Sequence, residues 1–226
     1  MKAGIPVCIG YFSVSFGFGA MAIAQGLGIF QSVLISSFNL TSAGQFAGLT
    51  VIAAHATLFE MILTQLVINS RYALMSLALG PNFGTKTGIG PRLLAAFFNT
   101  DEVFALGMER GSALTASFFV GAGIVAAVGW ISGTAMGAIA GSLLPESVRT
   151  ALGVMLYGMF VAIVIPQVKQ EKPILACVCF ALIFSSAFSW IPLLNQISSG
   201  LAIVICTVAA AALAALLFPV DEEAQS

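Results

Sequence analysis

Asp101 and Glu102 are the residues with the most chemistry to offer, because they are acids set between two apolar stretches. Six apolar residues, Leu93 to Phe98, precede Asn99-Thr100-Asp101-Glu102, and six mostly apolar ones, Val103 to Met108, follow. An ionisable group deep in a bilayer costs several kcal/mol unless it meets a partner or a water-filled cavity. Two carboxylates in that setting suit an ammonium-binding site or a proton carrier; the plainer alternative is a helix cap whose carboxylates reach an aqueous edge. Arg71, in Asn69-Ser70-Arg71-Tyr72, is the matching cation. It can bind a carboxylate, pair with Asp101 or Glu102, or snorkel to the headgroups. Glu60, Thr64, Val67 and Arg71 share one helical face by spacing, so Glu60 is a second candidate partner, although its place near a span start suits an interfacial residue better. His55, the single histidine, falls between two apolar stretches and reads as a loop residue.

Other chemistries find no footing. Cys8, Cys177, Cys179 and Cys206 sit inside apolar runs, without a CxxC, and Cys177 and Cys179 are about 200° apart on a helix. They read as small hydrophobes, and no metal site or other cofactor is expected. Neither HExxH, a P-loop nor GxGxxG occurs, and no Ser-His-Asp set can be assembled, so an enzyme is not expected. A net charge of -1 gives nucleic acid nothing to bind.

The elements that position these residues are membrane helices. Charged residues make up 8% of the 226 and hydrophobic ones 59%, against about 25% charged in a soluble domain, and the mean hydropathy is +1.06. Lipid is therefore the solvent for most of this surface. At roughly 20 apolar residues per crossing there is room for about six to eight crossings. The expected fold is all-α, a polytopic transmembrane bundle of about seven spans, with apolar runs near residues 4–27, 31–54, 57–80, 92–109, 113–142, 149–167, 173–192 and 197–218. The first follows Lys2 and is too long for the core of a cleavable signal. Residues 1–220 read as one integral membrane domain, and 221–226, with Asp221-Glu222-Glu223, as a short acidic tail.

Two runs are not ordinary spans. Asn or Thr followed by acids is how a helix begins, so the Asn99–Glu102 pattern predicts a broken helix near 99–102. The polar stretch Asn39, Thr41, Ser42, Gly44, Gln45 predicts a second break near 39–45. Non-helical backbone at that depth is tolerated only inside protein or beside water. If 92–109 does not cross fully, Lys86, Arg92, Arg110, Lys169 and Lys172 fall on one side, which the positive-inside rule makes cytoplasmic. Gly133, Gly137 and Gly141, spaced by four, predict a close helix–helix contact. Ala20-Met21 and Gln31-Ser32 match Ala135-Met136 and Glu146-Ser147 at a common offset of 115, and Gly44-Gln45-Phe46 falls near Gly158-Met159-Phe160 with one gap, so an internal repeat of the kind many transporters contain is one reading.

Taken together, these segments resemble the AzlC family, the larger subunit of two-component branched-chain amino acid transporters. Gly10-Tyr11-Phe12 with Phe16-Gly17-Phe18-Gly19 is similar to its opening motif. Ser42-Ala43-Gly44-Gln45-Phe46, Asn69-Ser70-Arg71-Tyr72 and Thr100-Asp101-Glu102-Val103-Phe104-Ala105 resemble three more, and Gly133 through Gly141 and Ala151-Leu152-Gly153 follow in order. Ser13 and Tyr157 stand where the family often has proline, which alters local kinks. The resemblance implies export of branched-chain amino acids, and in some members methionine, across the cytoplasmic (inner) membrane with a small hydrophobic AzlD-type subunit.

Residues and resemblance combine into one expectation, a secondary transporter driven by the proton gradient. Arg71, or helix N-terminal amides near Thr100 and Gln45, would hold the substrate carboxylate. Asp101 or Glu102 would face the ammonium or carry the proton; Asn69 and Thr100 complete the substrate-binding or coupling set. Rival readings are a channel or passive pore, and a non-transporting membrane subunit. The small size favours a partnered assembly or a homo-oligomer.

Overall fold

A computed structural model describes residues 2–84, 87–143, 171–192 and 194–219, with positions 145, 147, 161, 164, 165, 168 and 169 between them. The expected span near 149–167, Ala151-Leu152-Gly153, Tyr157, the repeat positions Glu146 and Gly158-Met159-Phe160, and the acidic tail lie outside the described residues.

Among the described residues the chain is helical and has no strand. Helices α1 (Ile5–Ala24), α4 (Leu58–Leu79), α7 (Ala116–Leu143), α8 (Lys172–Trp190) and α9 (Ser199–Leu217) belong to five stretches long and apolar enough to cross a membrane. The other four are short and come as two pairs: α2 (Ile29–Phe38) with α3 (Ser42–Ala53), and α5 (Ile89–Phe97) with α6 (Asp101–Arg110). At 1.5 Å per residue each covers about 14 to 18 Å, roughly half of the ~30 Å hydrocarbon core. Both breaks fall where the polar residues predict them, at 39–41 and 98–100.

The outside of the molecule is apolar. Phe30, Leu58, Leu74, Leu77, Leu182 and Leu216 are exposed, and Trp190 at the end of α8 is 87% exposed. Lipid tails solvate such surfaces, and tryptophan favours the headgroup level.

The chain divides into two compact units, residues 1–49 with 69–156 and residues 50–68 with 157–226. In the second, the Thr64 hydroxyl donates to the Gly200 carbonyl at 3.3 Å, so the first half of α4 packs on the start of α9. Glu60 lies on that same half of α4, close to Gly200. His55 is exposed in the turn after α3 with φ 50°, a loop residue as its position suggests.

The first unit is built on α1 against α7. A Cβ added at Gly129 would run into the Cys8 carbonyl, at Gly133 into the Phe12 carbonyl, at Gly137 into the Phe16 carbonyl, and at Gly141 to 2.8 Å from Ala20 Cα. The steps of four on α7 meet steps of four on α1, so the two backbones touch where only hydrogen fits. Trp130, Phe119, Val103, Leu79, Phe83, Leu40 and Tyr11 fill the adjoining core.

Candidate functional site

The break between α5 and α6 positions most of the candidate residues. Phe98 and Asn99 close the last turn of α5 on the Ala95 and Ala96 carbonyls, and Thr100 turns outward with extended backbone. Helix α6 then starts with both acids in its first turn and Arg110 in its last, which matches its dipole at each end. Phe104 N–H donates to the Thr100 carbonyl at 2.7 Å. The motif is thus a helix start, and it also carries the site.

Three sets of bonded side chains lie there. Arg71 Nη1 lies 2.9 Å from Asp101 Oδ2, with the two side chains 42% and 45% exposed; the pair stands at an open wall rather than in packed interior. Arg71 Nη2 donates to the Tyr72 hydroxyl at 2.9 Å, and the guanidinium carbon sits 4.8 Å from the centre of that ring. The Tyr11 hydroxyl lies 2.7 Å from Thr100 Oγ1 and hydrogen-bonds the Glu102 carboxylate. A phenol has one hydrogen, so Tyr11 gives it to the carboxylate and accepts from Thr100. The Tyr11 ring packs edge-on against Trp130 at 5.2 Å. Asn99 Nδ2 donates to Ser76 Oγ at 2.9 Å.

Depth follows from helix lengths. Trp130 is at the middle of the 28-residue α7, and Tyr11 touches it. Arg71 is eight residues short of the end of α4, about 12 Å by rise. Of the partners open for Arg71, the structure shows Asp101, and among the described residues Glu60 makes no ion pair with it.

Gln45 is elsewhere. It is 2% exposed, at the other break. Its Nε2 donates to the Asn39 carbonyl, and its Oε1 accepts from Ser36 Oγ at 3.2 Å, which lies 2.7 Å from Thr134 Oγ1 on α7. Asn39 Oδ1 accepts from Thr41 N–H at 3.2 Å and from its hydroxyl at 2.6 Å. The end of α2 and the start of α3 thus find side-chain partners in place of water. Thr134 is one turn from Trp130, about 6 Å along α7, so Tyr11 and Ser36, which serve the two breaks, meet one short stretch of that helix, while Phe98 of the α5–α6 break lies against Gly123 nearer the start of α7. Asn69 is half-buried on α4, two residues before Arg71.

Tyr11, Tyr72, Ser76, Trp130, Ser36 and Thr134 were not singled out by sequence as site residues. The available signal was scarcity: the chain has three Tyr and two Trp, and two of those Tyr fall in the quoted motifs. Among the described residues no three His, Cys, Asp or Glu side chains come together as a metal site.

Comparison with known proteins identifies relatives of the chain. The chain is 28% identical over 189 residues to the inner membrane protein YgaZ of Escherichia coli, covering 80% of this chain and 76% of that protein. It is 29% identical over 166 residues to an uncharacterized membrane protein of Archaeoglobus fulgidus, 73% of this chain and 72% of the relative. A third, from Helicobacter pylori strain 26695, is 24% identical over 204 residues, 85% and 88% of the two chains. No solved structure matches significantly. The family model described as AzlC protein matches residues 6–144, the segment that carries both helix breaks, the Arg71–Asp101 pair and the glycine-packed α1 and α7, and this chain is therefore a membrane protein of the AzlC family.

Proposed function

We propose that this protein is a secondary transporter that exports branched-chain amino acids, and methionine with them, across the cytoplasmic membrane. It works with a small hydrophobic AzlD-type subunit and is coupled to protons. The observation that carries this reading is the ion pair of Arg71 and Asp101, beside Glu102, at a helix break among apolar spans. A zwitterion crossing lipid needs both of its charges met. A guanidinium and two carboxylates near the bilayer middle offer that, and discontinuous helices at such a level are where transporters hold their passengers. Glu102, held by Tyr11 yet exposed, suits the coupling proton; Asp101 suits an exchange in which the substrate ammonium replaces Arg71. The name of the Escherichia coli relative, an inner membrane protein, supports the membrane assigned.

Uptake or efflux of labelled leucine, isoleucine, valine and methionine tests this in proteoliposomes holding the chain and its partner subunit. The expected result is saturable flux that depends on the proton gradient and is lost in Asp101→Asn. Rates equal to empty vesicles for all four amino acids would sink the substrate assignment. Asp101→Asn moving substrate at the normal rate with unchanged pH dependence would remove that carboxylate from the mechanism.

A further inference from the structure

On the same side of the α5–α6 break as Asn99, a cavity of about 170 Å³ opens between the end of α4 and α5. Ser76, Leu79, Gly80, Phe83, Arg92, Leu93, Ala96 and Asn99 line it. That is room for several waters, or for one amino acid with a short aliphatic side chain. Its two ends are polar. Arg92 donates from Nε to the Thr87 carbonyl at 3.2 Å and from Nη2 to the Phe83 carbonyl at 3.3 Å. Those bonds fix the guanidinium and use two of its five N–H donors. Among the described residues no carboxylate lies within ion-pair distance of it. A held cation on an apolar wall with spare donors is a site for an anion. At the other end Asn99, 5% exposed, spends Nδ2 on Ser76, while its Oδ1 is buried without a partner. Between the ends lie the buried Leu79 and Phe83, with Leu93 and Ala96 exposed along its open side.

We infer that this cavity is a binding site for an α-amino acid with a small aliphatic side chain, lying between the aqueous face and the Arg71–Asp101 pair. Arg92 takes the carboxylate. Asn99 Oδ1 and Ser76 Oγ take the ammonium, and the apolar walls take the side chain. The inference rests on the transport reading above and assigns it a vestibule. Ser76 is five residues beyond Arg71 on α4, about 7.5 Å by rise, so a passenger released by Arg92 is one step from the acids of α6.

The test uses the full chain in nanodiscs of uncharged lipid, with binding of labelled leucine measured against unlabelled leucine and leucinol, which keeps the side chain and ammonium but lacks the carboxylate. Wild type is expected to prefer leucine by about tenfold or more. Arg92→Gln is expected to lose that preference by weakening leucine alone. Ala96→Leu, which narrows the cavity without touching a charge, is expected to weaken leucine more than alanine. Arg92→Gln binding leucine like wild type, or Ala96→Leu leaving both amino acids unchanged, overturns this site while the transport reading stands. A wild type that, together with its partner subunit, neither binds any of the four amino acids in nanodiscs nor moves them in the vesicle assay overturns that reading and the vestibule with it. Repeating the titration in anionic lipid separates the other source of the same chemistry. If Arg92 serves a lipid phosphate, Arg92→Gln changes lipid retention and not leucine affinity, which also overturns the proposal.

Discussion

Neutralising Arg71 and Asp101 singly and together separates what the pair does for the fold from what it does for transport. At 2.9 Å between Nη1 and Oδ2, the charge centres are about 4 Å apart, worth ~4 kcal/mol at an effective dielectric of ~20. Both side chains are more than a third exposed, so water and salt screen the pair, and a coupling of about 1 kcal/mol is the better expectation. Each single variant leaves the other charge facing apolar spans, where an isolated charge costs ~2.5–3.5 kcal/mol before it relaxes toward water. Arg71→Gln and Asp101→Asn are therefore each expected to lose about 1–2 kcal/mol, and the double variant less than the sum of the two. Unfolding by SDS in mixed micelles, followed by tryptophan fluorescence, measures all four corners of the cycle. Trp130 sits against Tyr11 and reports on this region. If the single losses add to within ~0.3–0.5 kcal/mol, the charges are not coupled and the pairing argument fails. Transport should not follow stability: the double variant is about as stable as either single one and still carries nothing, because the groups that meet the passenger are gone.

Three further changes test separate contacts. Tyr11→Phe keeps the ring against Trp130 and removes the hydroxyl shared by Thr100 and Glu102; stability should fall by about 1 kcal/mol, while transport at saturating substrate drops by about tenfold or more, read in the same vesicle assay. Gly137→Ala puts a methyl on the Phe16 carbonyl and should cost about 1–3 kcal/mol, whereas Gly10→Ala, whose Cβ meets nothing within 4 Å, should be neutral or gain ~0.5–1 kcal/mol; thermal unfolding in detergent ranks the two. Gln45→Leu strands the Asn39 carbonyl and leaves the Ser36 hydroxyl only its Thr134 partner, and should cost about 1–3 kcal/mol, seen in the same unfolding series.

The two helix breaks were legible because their signal is local. Asn99-Thr100-Asp101-Glu102 is a helix start wherever it occurs, and Asn39 through Gln45 is too polar to lie against lipid. The glycine steps on α7 announced a close contact for the same reason. What they could not announce was the partner. In a soluble helix a polar face marks solvent and leaves the other face for the core. Here both lipid and core are apolar, so the pattern does not say which helix α7 touches or that Cys8, Phe12 and Phe16 would supply the carbonyls. The site suffered likewise. Arg71 and Asp101 were matched through charge, which acts at any sequence separation. Tyr11 with Thr100, 89 residues apart, and Ser36 with Thr134, 98 apart, are neutral pairs with no such signal. Gln45 was grouped with Arg71 and Asp101 on the strength of polarity in an apolar run, and it serves the other break.

The placement of the breaks constrains where the molecule can change shape. Helices α1 and α7 meet through backbone carbonyls set against glycine hydrogens, and a shift of one along the other would drive each carbonyl into the next side chain. Packed interfaces of this kind hold one arrangement or jump to another; they do not slide. The breaks differ. At one, Gln45 meets the Asn39 carbonyl and the Asn39 side chain meets Thr41 N–H; at the other, Tyr11 ties the Thr100 hydroxyl to the Glu102 carboxylate, and a side-chain hydrogen bond can be exchanged for one to substrate or water at small net cost. The Trp130–Thr134 turn of α7 meets Tyr11, which bonds Thr100, and Ser36, at the end of α2. On the transport reading proposed above, a passenger bound at Asp101 and Glu102 would compete with Tyr11 for the Glu102 carboxylate, the contact that ties one break to α1, while the α1–α7 interface, packed carbonyl against glycine, has no such bond to exchange.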